Sequence, residues 1–303
     1  MRIAKGLFDD LFEDDSDGKR IRGTNRAEAI RGTRGDDDID ALGGDDRIDP
    51  RGGDDEINAG DGEDTVLGSS GNDDIFGGDD DDDLSGGSDN DDIRGEDGDD
   101  DILGGDGNDR LFGGDGEDRI SGEGGDDRLF GEGDADRLFG SSGNDQLYGG
   151  DGNDELSGDS DSSSGNDILD GGKGQDILTG RDGNDILVGG TDNDELDGGD
   201  GQDSLFGNAG DDLLVGGAGG DFLNGGGGRD ILVLATGGGR DQIRQFRDGQ
   251  DRLGLSNGLT FRDLTREQRG ANTVISVGND ELAILFKVRA NTLSSSDFTF
   301  ASV

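Results

Sequence analysis

Large aliphatic residues recur along this chain with a period of nine. They stand at Ile30, Ile39, Ile48, Ile57, Val66, Ile75, Leu84, Ile93, Ile102, Leu111, Ile120, Leu129, Leu138, Leu147 and Leu156. Four extra residues then fall within 158–165, and the period resumes at Leu169, Leu178, Leu187, Leu196, Leu205, Leu214, Leu223 and Leu232. This makes 23 units, and Ile21, nine residues before Ile30, reads as a degenerate first one. Two positions before each aliphatic stands an acid, Asp in 22 units and Glu28 in the other. Gly is frequent at the first, second and fourth positions, as in GGDGNDRLF (104–112) and GGDGQDSLF (198–206). Two residue types held in one register mark a stacked repeat architecture before any single element is considered.

Within a unit, six Gly-rich residues turn the chain, since Gly supplies the positive φ angles of tight loops. The last three residues extend as a short strand. Side chains alternate across a strand, so the eighth position faces a core while the seventh and ninth face outward. Each unit reverses the chain direction, so two units make a coil of 18 residues. Residues 18 apart then stack at the inter-strand spacing of about 4.8 Å. The expected fold is all-β, a parallel β-roll or β-helix solenoid with two nonapeptides per coil.

This roll is expected over 23–233, after a short acidic segment at 1–22, with the insertion near 159–164 bulging from a loop. Beyond Asp230 the pattern decays, and DQIRQF, DRLGL, LTF, TVISV and ELAILFKV read as strands. Their core is Ile243, Phe246, Leu253, Leu255, Phe261, Val274, Ile275, Leu282, Ile284, Leu285 and Phe286. The end of a stack exposes its core and its strand edges. Residues 234–303 are therefore expected to form a small β cap.

Composition alone would suggest disorder: 75 acidic residues face 27 basic ones, for a net charge of −48, and only 27% of residues are hydrophobic. The regular register of the acids overturns that reading. Such a polyanion excludes nucleic acid as a partner and calls for bound cations. The absence of Cys and His excludes disulfide scaffolds, zinc sites and His-based catalysis. The longest apolar runs, Ile231–Ala235 and Leu282–Phe286, are five residues each, too short for a membrane-spanning helix. The N-terminal MRIAKGLFDDLFEDD has no continuous apolar stretch, which predicts no cleaved secretory signal.

The repeat resembles the GGxGxDxUx nonapeptide of the RTX, or hemolysin-type, calcium-binding family, across 23–233. The resemblance implies a right-handed β-roll that binds calcium. The stretches DQIRQFRDGQDRLGL (241–255) and SDFTF (296–300) resemble the segment that follows such repeats. That segment implies export by a bacterial ABC-type machinery, with Asp297, Phe298 and Phe300 matching the family's terminal motif. The expected location is secreted, extracellular or at the cell surface.

Calcium suits this spacing on physical grounds. It prefers six to eight oxygen ligands at about 2.4 Å, so an ion between stacked carboxylates spans roughly one coil. Two columns of sixth-position Asp follow. One holds Asp37, Asp55, Asp73, Asp91, Asp109, Asp127, Asp145, Asp167, Asp185, Asp203 and Asp221. The other holds Asp46, Asp64, Asp82, Asp100, Asp118, Asp136, Asp154, Asp176, Asp194, Asp212 and Asp230. Their gaps would accept up to roughly 20 ions. Asp80, Asp89, Asp134 and Asp192 replace the fourth-position Gly, and these loops are expected to bind more weakly. One core aliphatic per unit cannot offset the ordering of nine residues, so the metal-free roll is expected to be largely unfolded.

The favoured function is a non-enzymatic calcium-binding protein of the cell surface or extracellular matrix, structural or adhesive. The alternative is a non-catalytic accessory module of a secreted enzyme or toxin system, since the family includes enzymes with similar tails. About 20 residues precede the repeats, which leaves no expected room for a catalytic half. No pore-forming segment supports a toxin, and no outward Thr ladder supports ice binding. Outward ninth positions run Phe76, Arg94, Phe112, Phe130, Tyr148, Asp170, Val188 and Phe206. This stripe is either sheet packing or a patch for self-association or surface glycan.

Overall fold

The computed structural model describes residues 17–160 and 163–301; of the acidic segment expected at 1–22, residues 1–16 lie outside the described residues. Odd and even repeat units separate into two sheets, parallel throughout the repeats. Among the described residues, a sheet of 16 strands begins Arg20–Arg22, Asp38–Asp40, Glu56–Asp61, and one of 15 strands begins Ala29–Arg31, Arg47–Asp49, Thr65–Leu67. The register between neighbours is 18 residues: Ile102 lies opposite Ile120, and Leu111 opposite Leu129. At the insertion Leu147 pairs with Leu169 instead, so the extra residues leave the sheet undisturbed. The eighth-position aliphatics from Ile39 to Leu232 are all buried and fill the space between the sheets in single file.

The strands are longer than the repeat pattern predicts. Arg110–Asp115 and most of its neighbours have six residues, running from the seventh position of one unit through the third of the next. At the first loop position Gly has no side chain to crowd the neighbouring Asp, and the second position accepts larger residues such as Glu123. Gly105 pairs with Glu123, and Asp106 with Gly124. Only the fourth to sixth positions form the turn.

The stacking also continues past residue 233. Asp241–Arg244 adds in parallel to Phe222–Gly227, placing Ile243 on Leu223. Arg252–Leu255 adds to Ile231–Leu234, placing Leu253 on Leu232. Asp280–Leu285 then covers Asp241–Arg244, followed outward by the antiparallel Asn272–Val277 and Thr265–Arg269. Phe298–Phe300 covers Arg252–Leu255.

Two local readings need correction. LTF is not a strand; Phe261 opens a short 3-10 turn, Phe261–Asp263, with the Thr260 N–H and hydroxyl held by the Asp263 carboxylate. Thr265–Arg269 is a strand although it is wholly polar. It is an outermost strand and has no apolar face to bury. Of the expected cap core, Phe261, Ile284 and Phe286 are only partly buried, and Arg244 lies over the Phe286 ring at 3.5 Å.

Candidate metal-binding columns

The turn at positions four to six brings each sixth-position Asp inward, next to the aliphatic core. All 22 predicted carboxylates are buried, with Asp109 and Asp127 each 1% exposed. They form the two expected columns. The backbone N–H of each donates to Oδ1 of the Asp one coil later: Asp91 to Asp109 at 2.9 Å, and Asp109 to Asp127 at 2.8 Å. The chain continues across the insertion, where Asp145 donates to Asp167 and Asp154 to Asp176 at 2.9 Å.

The second carboxylate oxygen is different. In 20 of the 22, from Asp46 to Asp221, Oδ2 is buried and accepts no hydrogen bond. It faces the first-position residue of its own unit. A Cβ built on Gly198 would sit 2.5 Å from Asp203 Oδ2 and 2.7 Å from the carbonyl oxygen of Gly216, one coil on. An orphan carboxylate oxygen and a backbone carbonyl both border the space that Gly198 leaves open. Among the described residues no three acidic side chains converge on one point, so carboxylates alone do not form a cage.

Burial without a donor is unfavourable for a charged carboxylate. The Asp82 and Asp136 carboxyls are pushed up to about 8, and those of Asp73, Asp91, Asp127, Asp145 and Asp203 to about 7. Burial is the main cause; the backbone N–H of the coil before works against it, and neighbouring carboxylates add to it. A hard divalent cation removes both penalties at once, and these oxygens are the ligand type calcium prefers.

Sequence reasoning missed four features of the site. Asp241 and Asp251 extend the columns: Asp221 N–H donates to Asp241 Oδ1 at 3.2 Å, and Asp230 N–H to Asp251 Oδ1 at 3.4 Å. Each precedes an aliphatic by two residues, Ile243 and Leu253, which is the signal that could have found them. A further ladder lies on the exposed edge at the fifth position, running in the opposite sense. There the N–H of the later coil donates to the earlier side chain, as in Asn108 to Asn90 at 2.8 Å and Asn144 to Asp126 at 2.8 Å. The second position of the regular units holds a positive φ, whether Gly105 (+114°) or Glu123 (+69°). Lastly, Arg247 reaches into one column.

On the outer face, Phe112 stacks on Phe130 with ring centroids 4.7 Å apart, and Phe130 on Tyr148 at 5.1 Å, with the rings within 8° of parallel. The Arg94 guanidinium lies between the Phe76 and Phe112 rings at 5.1 and 5.2 Å. The inner ring faces of the ladder are thus covered by neighbours, and their edges point outward.

The model of the RTX calcium-binding nonapeptide repeat, four copies long, matches at residues 22–57, 50–84, 58–93, 76–111, 94–129, 103–138, 130–164, 161–196 and 197–232. No curated protein matches the chain. Among solved structures, it is similar to the extracellular lipase LipA from Serratia marcescens (20% identity, TM-score 0.25). That match covers 62% of this chain and 45% of the lipase, so the chain spans less than half of that enzyme's length. The AlgE6R3 subunit of the Azotobacter vinelandii mannuronan C5-epimerase matches at 22% identity and TM-score 0.22, over 56% of this chain and 80% of that one. A hyperactive, Ca2+-dependent, β-helical antifreeze protein from an Antarctic bacterium matches at 20% identity and TM-score 0.34, over 80% and 85%.

Proposed function

This chain belongs to the RTX calcium-binding nonapeptide-repeat family, and from that premise we propose that calcium fills the gaps of both Asp columns and folds the roll outside the cell. Calcium binding is a property of the repeat itself; the ligand set is our reading. The observation that carries it is the run of buried, donor-less Oδ2 atoms from Asp46 to Asp221. In each gap the carboxylates of two successive coils supply charge, and backbone carbonyls bordering the first-position Gly supply further oxygens. The ten gaps between the eleven Asp of each column set an upper bound of roughly 20 ions.

The family is typically secreted, and millimolar calcium outside a cell against sub-micromolar calcium inside gives the folding switch a direction. A chain that stays unfolded without calcium fits passage through a narrow ABC-type exporter, with residues 234–303 as the segment that machinery reads. We assign the folded roll a non-catalytic structural or adhesive role. For the aromatic stripe, self-association suits the geometry better than a surface glycan. A sugar ring stacks on an aromatic face, and here the inner faces are already covered.

Calcium-titrated circular dichroism, with fractionation of the native culture into cells, surface and medium, tests this reading. A β-rich, compact chain in excess EGTA would sink the folding switch. Secretion that survives removal of 234–303 would sink the export assignment.

A further inference from the structure

At three of the four column ends the terminal carboxylate has a donor of its own. At the first coils, Thr33 at the second loop position gives its N–H to Asp37 Oδ2 at 2.6 Å and its hydroxyl to the same carboxylate. Thr24 does the same for Glu28, at 3.0 and 2.8 Å. At the last coil the second loop position is Arg247. Its Nη2 lies 3.4 Å from Asp230 Oδ2, 3.1 Å from Asp251 Oδ1 and 2.6 Å from the carbonyl oxygen of Gly228. Its backbone N–H donates to Asp251 Oδ2 at 2.6 Å. Asp230 and Asp251 side chains are 0% and 2% exposed.

One guanidinium nitrogen therefore contacts two successive column carboxylates and the fourth-position carbonyl of the Asp230 loop. Carboxylate and backbone-carbonyl oxygens also border the other gaps, although there the carbonyl belongs to a first-position residue. The backbone permits this reach. In the regular units the second residue has positive φ, but Arg247, Thr24 and Thr33 do not. The neighbouring column ends otherwise. Asp221 Oδ2 has no donor, Asp241 follows it, and the second position there is Gly237, with φ +80°.

We propose that Arg247 is a resident cation that takes the last metal position of its column, so that the Asp230–Asp251 gap closes without calcium and binds no ion. This rests on the reading of the columns as calcium sites. A guanidinium is always charged and offers several N–H donors in a fixed plane, so it neutralises the pair at any calcium concentration. The Asp221–Asp241 gap, one step away in the same molecule, has no such group and depends on the metal.

The test compares those two gaps in the full chain. At calcium concentrations that still hold the roll folded but leave its weaker gaps partly empty, hydrogen exchange should leave the Arg252 amide, bonded to Asp230 O at 2.8 Å, at least about tenfold more protected than the Gln242 amide, bonded to Asp221 O at 2.6 Å. Equal protection overturns the proposal. In saturating calcium, equilibrium dialysis with atomic emission should find one more bound ion in Arg247→Gly than in wild type, and an unchanged number in Arg247→Lys. A folded Arg247→Gly with the wild-type number also overturns it. Should that variant fail to fold, the exchange comparison in the wild-type chain decides alone. A wild-type chain that binds no calcium at all refutes the column reading itself, which is a separate outcome.

Discussion

Asp109 gives its backbone N–H to Asp127 Oδ1 at 2.8 Å, while Asp127 Oδ2, equally buried, has no donor. One oxygen of the carboxylate thus serves the stack and the other is left for something the chain does not contain. Leaving a buried acceptor unpaired costs about 1–3 kcal/mol, and the columns repeat that cost in coil after coil.

Replacing Asp127 by Asn separates these two duties. The amide oxygen can still accept the Asp109 N–H, and the amide nitrogen takes the Oδ2 position beside the Gly140 carbonyl. In EGTA the variant should be more stable than wild type, by about 1 kcal/mol, because a buried charge is replaced by a satisfied neutral group. In calcium it should bind fewer ions and need a higher concentration to fold. A urea titration in calcium checks the second sign, and circular dichroism of the metal-free chain as pH falls checks the first, the variant's β-structure appearing at a higher pH than the wild type's. A variant that is less stable in calcium and also forms metal-free β-structure less readily would argue against a ligand role.

Acid should partly replace calcium. The unfolded carboxyls titrate near the ordinary value of 3.8, whereas folded Asp82 and Asp136 titrate at about 8 and folded Asp55, Asp64 and Asp100 at about 6. Between those limits the folded state holds more protons than the unfolded one, so metal-free stability falls as pH rises. It is greatest below about pH 4 and mostly lost by about pH 8. Circular dichroism in EGTA should show β-structure appearing as pH falls from 8 to 4. Calcium binding near pH 7 should release protons, measurable as a buffer-dependent heat.

The repeat register was fully legible because two residue types fix it independently, and with it came the parallel sheets, the core file and the columns. What stayed hidden has physical reasons. Thr265–Arg269 lies at an outermost position and carries no apolar pattern. Asp241 and Asp251 sit in loops of altered length or composition, where the nine-residue step fails but the Asp-x-aliphatic triplet survives. The fifth-position ladder joins exposed polar residues, and no burial pattern announces it. Arg247 looks like any surface arginine until the second loop position loses its positive φ.

The fourth-position Asp residues carry backbone strain. Asp80, Asp89, Asp134 and Asp192 hold φ of 77°, 80°, 64° and 77°, a region that costs an L-residue about 1 kcal/mol. Asp134→Gly should therefore stabilise the calcium-loaded roll by about 1 kcal/mol and lower the calcium midpoint. The double variant Asp80→Gly, Asp134→Gly should roughly double the gain, since the sites lie several coils apart. A decrease in either variant would mean that the carboxylate contributes more than its backbone costs.

The aromatic ladder supports the stack whether or not it meets a partner. Phe130 stacks on both Phe112 and Tyr148, and each such pair is worth about 0.5–1.5 kcal/mol beyond burial. Phe130→Ser should cost about 1–3 kcal/mol from the two lost pairs, without changing the calcium stoichiometry, because the ring lies outside the columns. Changing Phe112, Phe130 and Tyr148 together to Ser also removes the outward edges. If the stripe mediates self-association, sedimentation velocity at saturating calcium should show the wild type heavier than the folded triple variant, with surface attachment reduced in parallel. Unchanged sedimentation and attachment would leave the ladder a staple between coils and nothing more. The two roles separate because Phe130→Leu restores packing area without ring stacking: stability should recover in part while any edge-on association stays weakened.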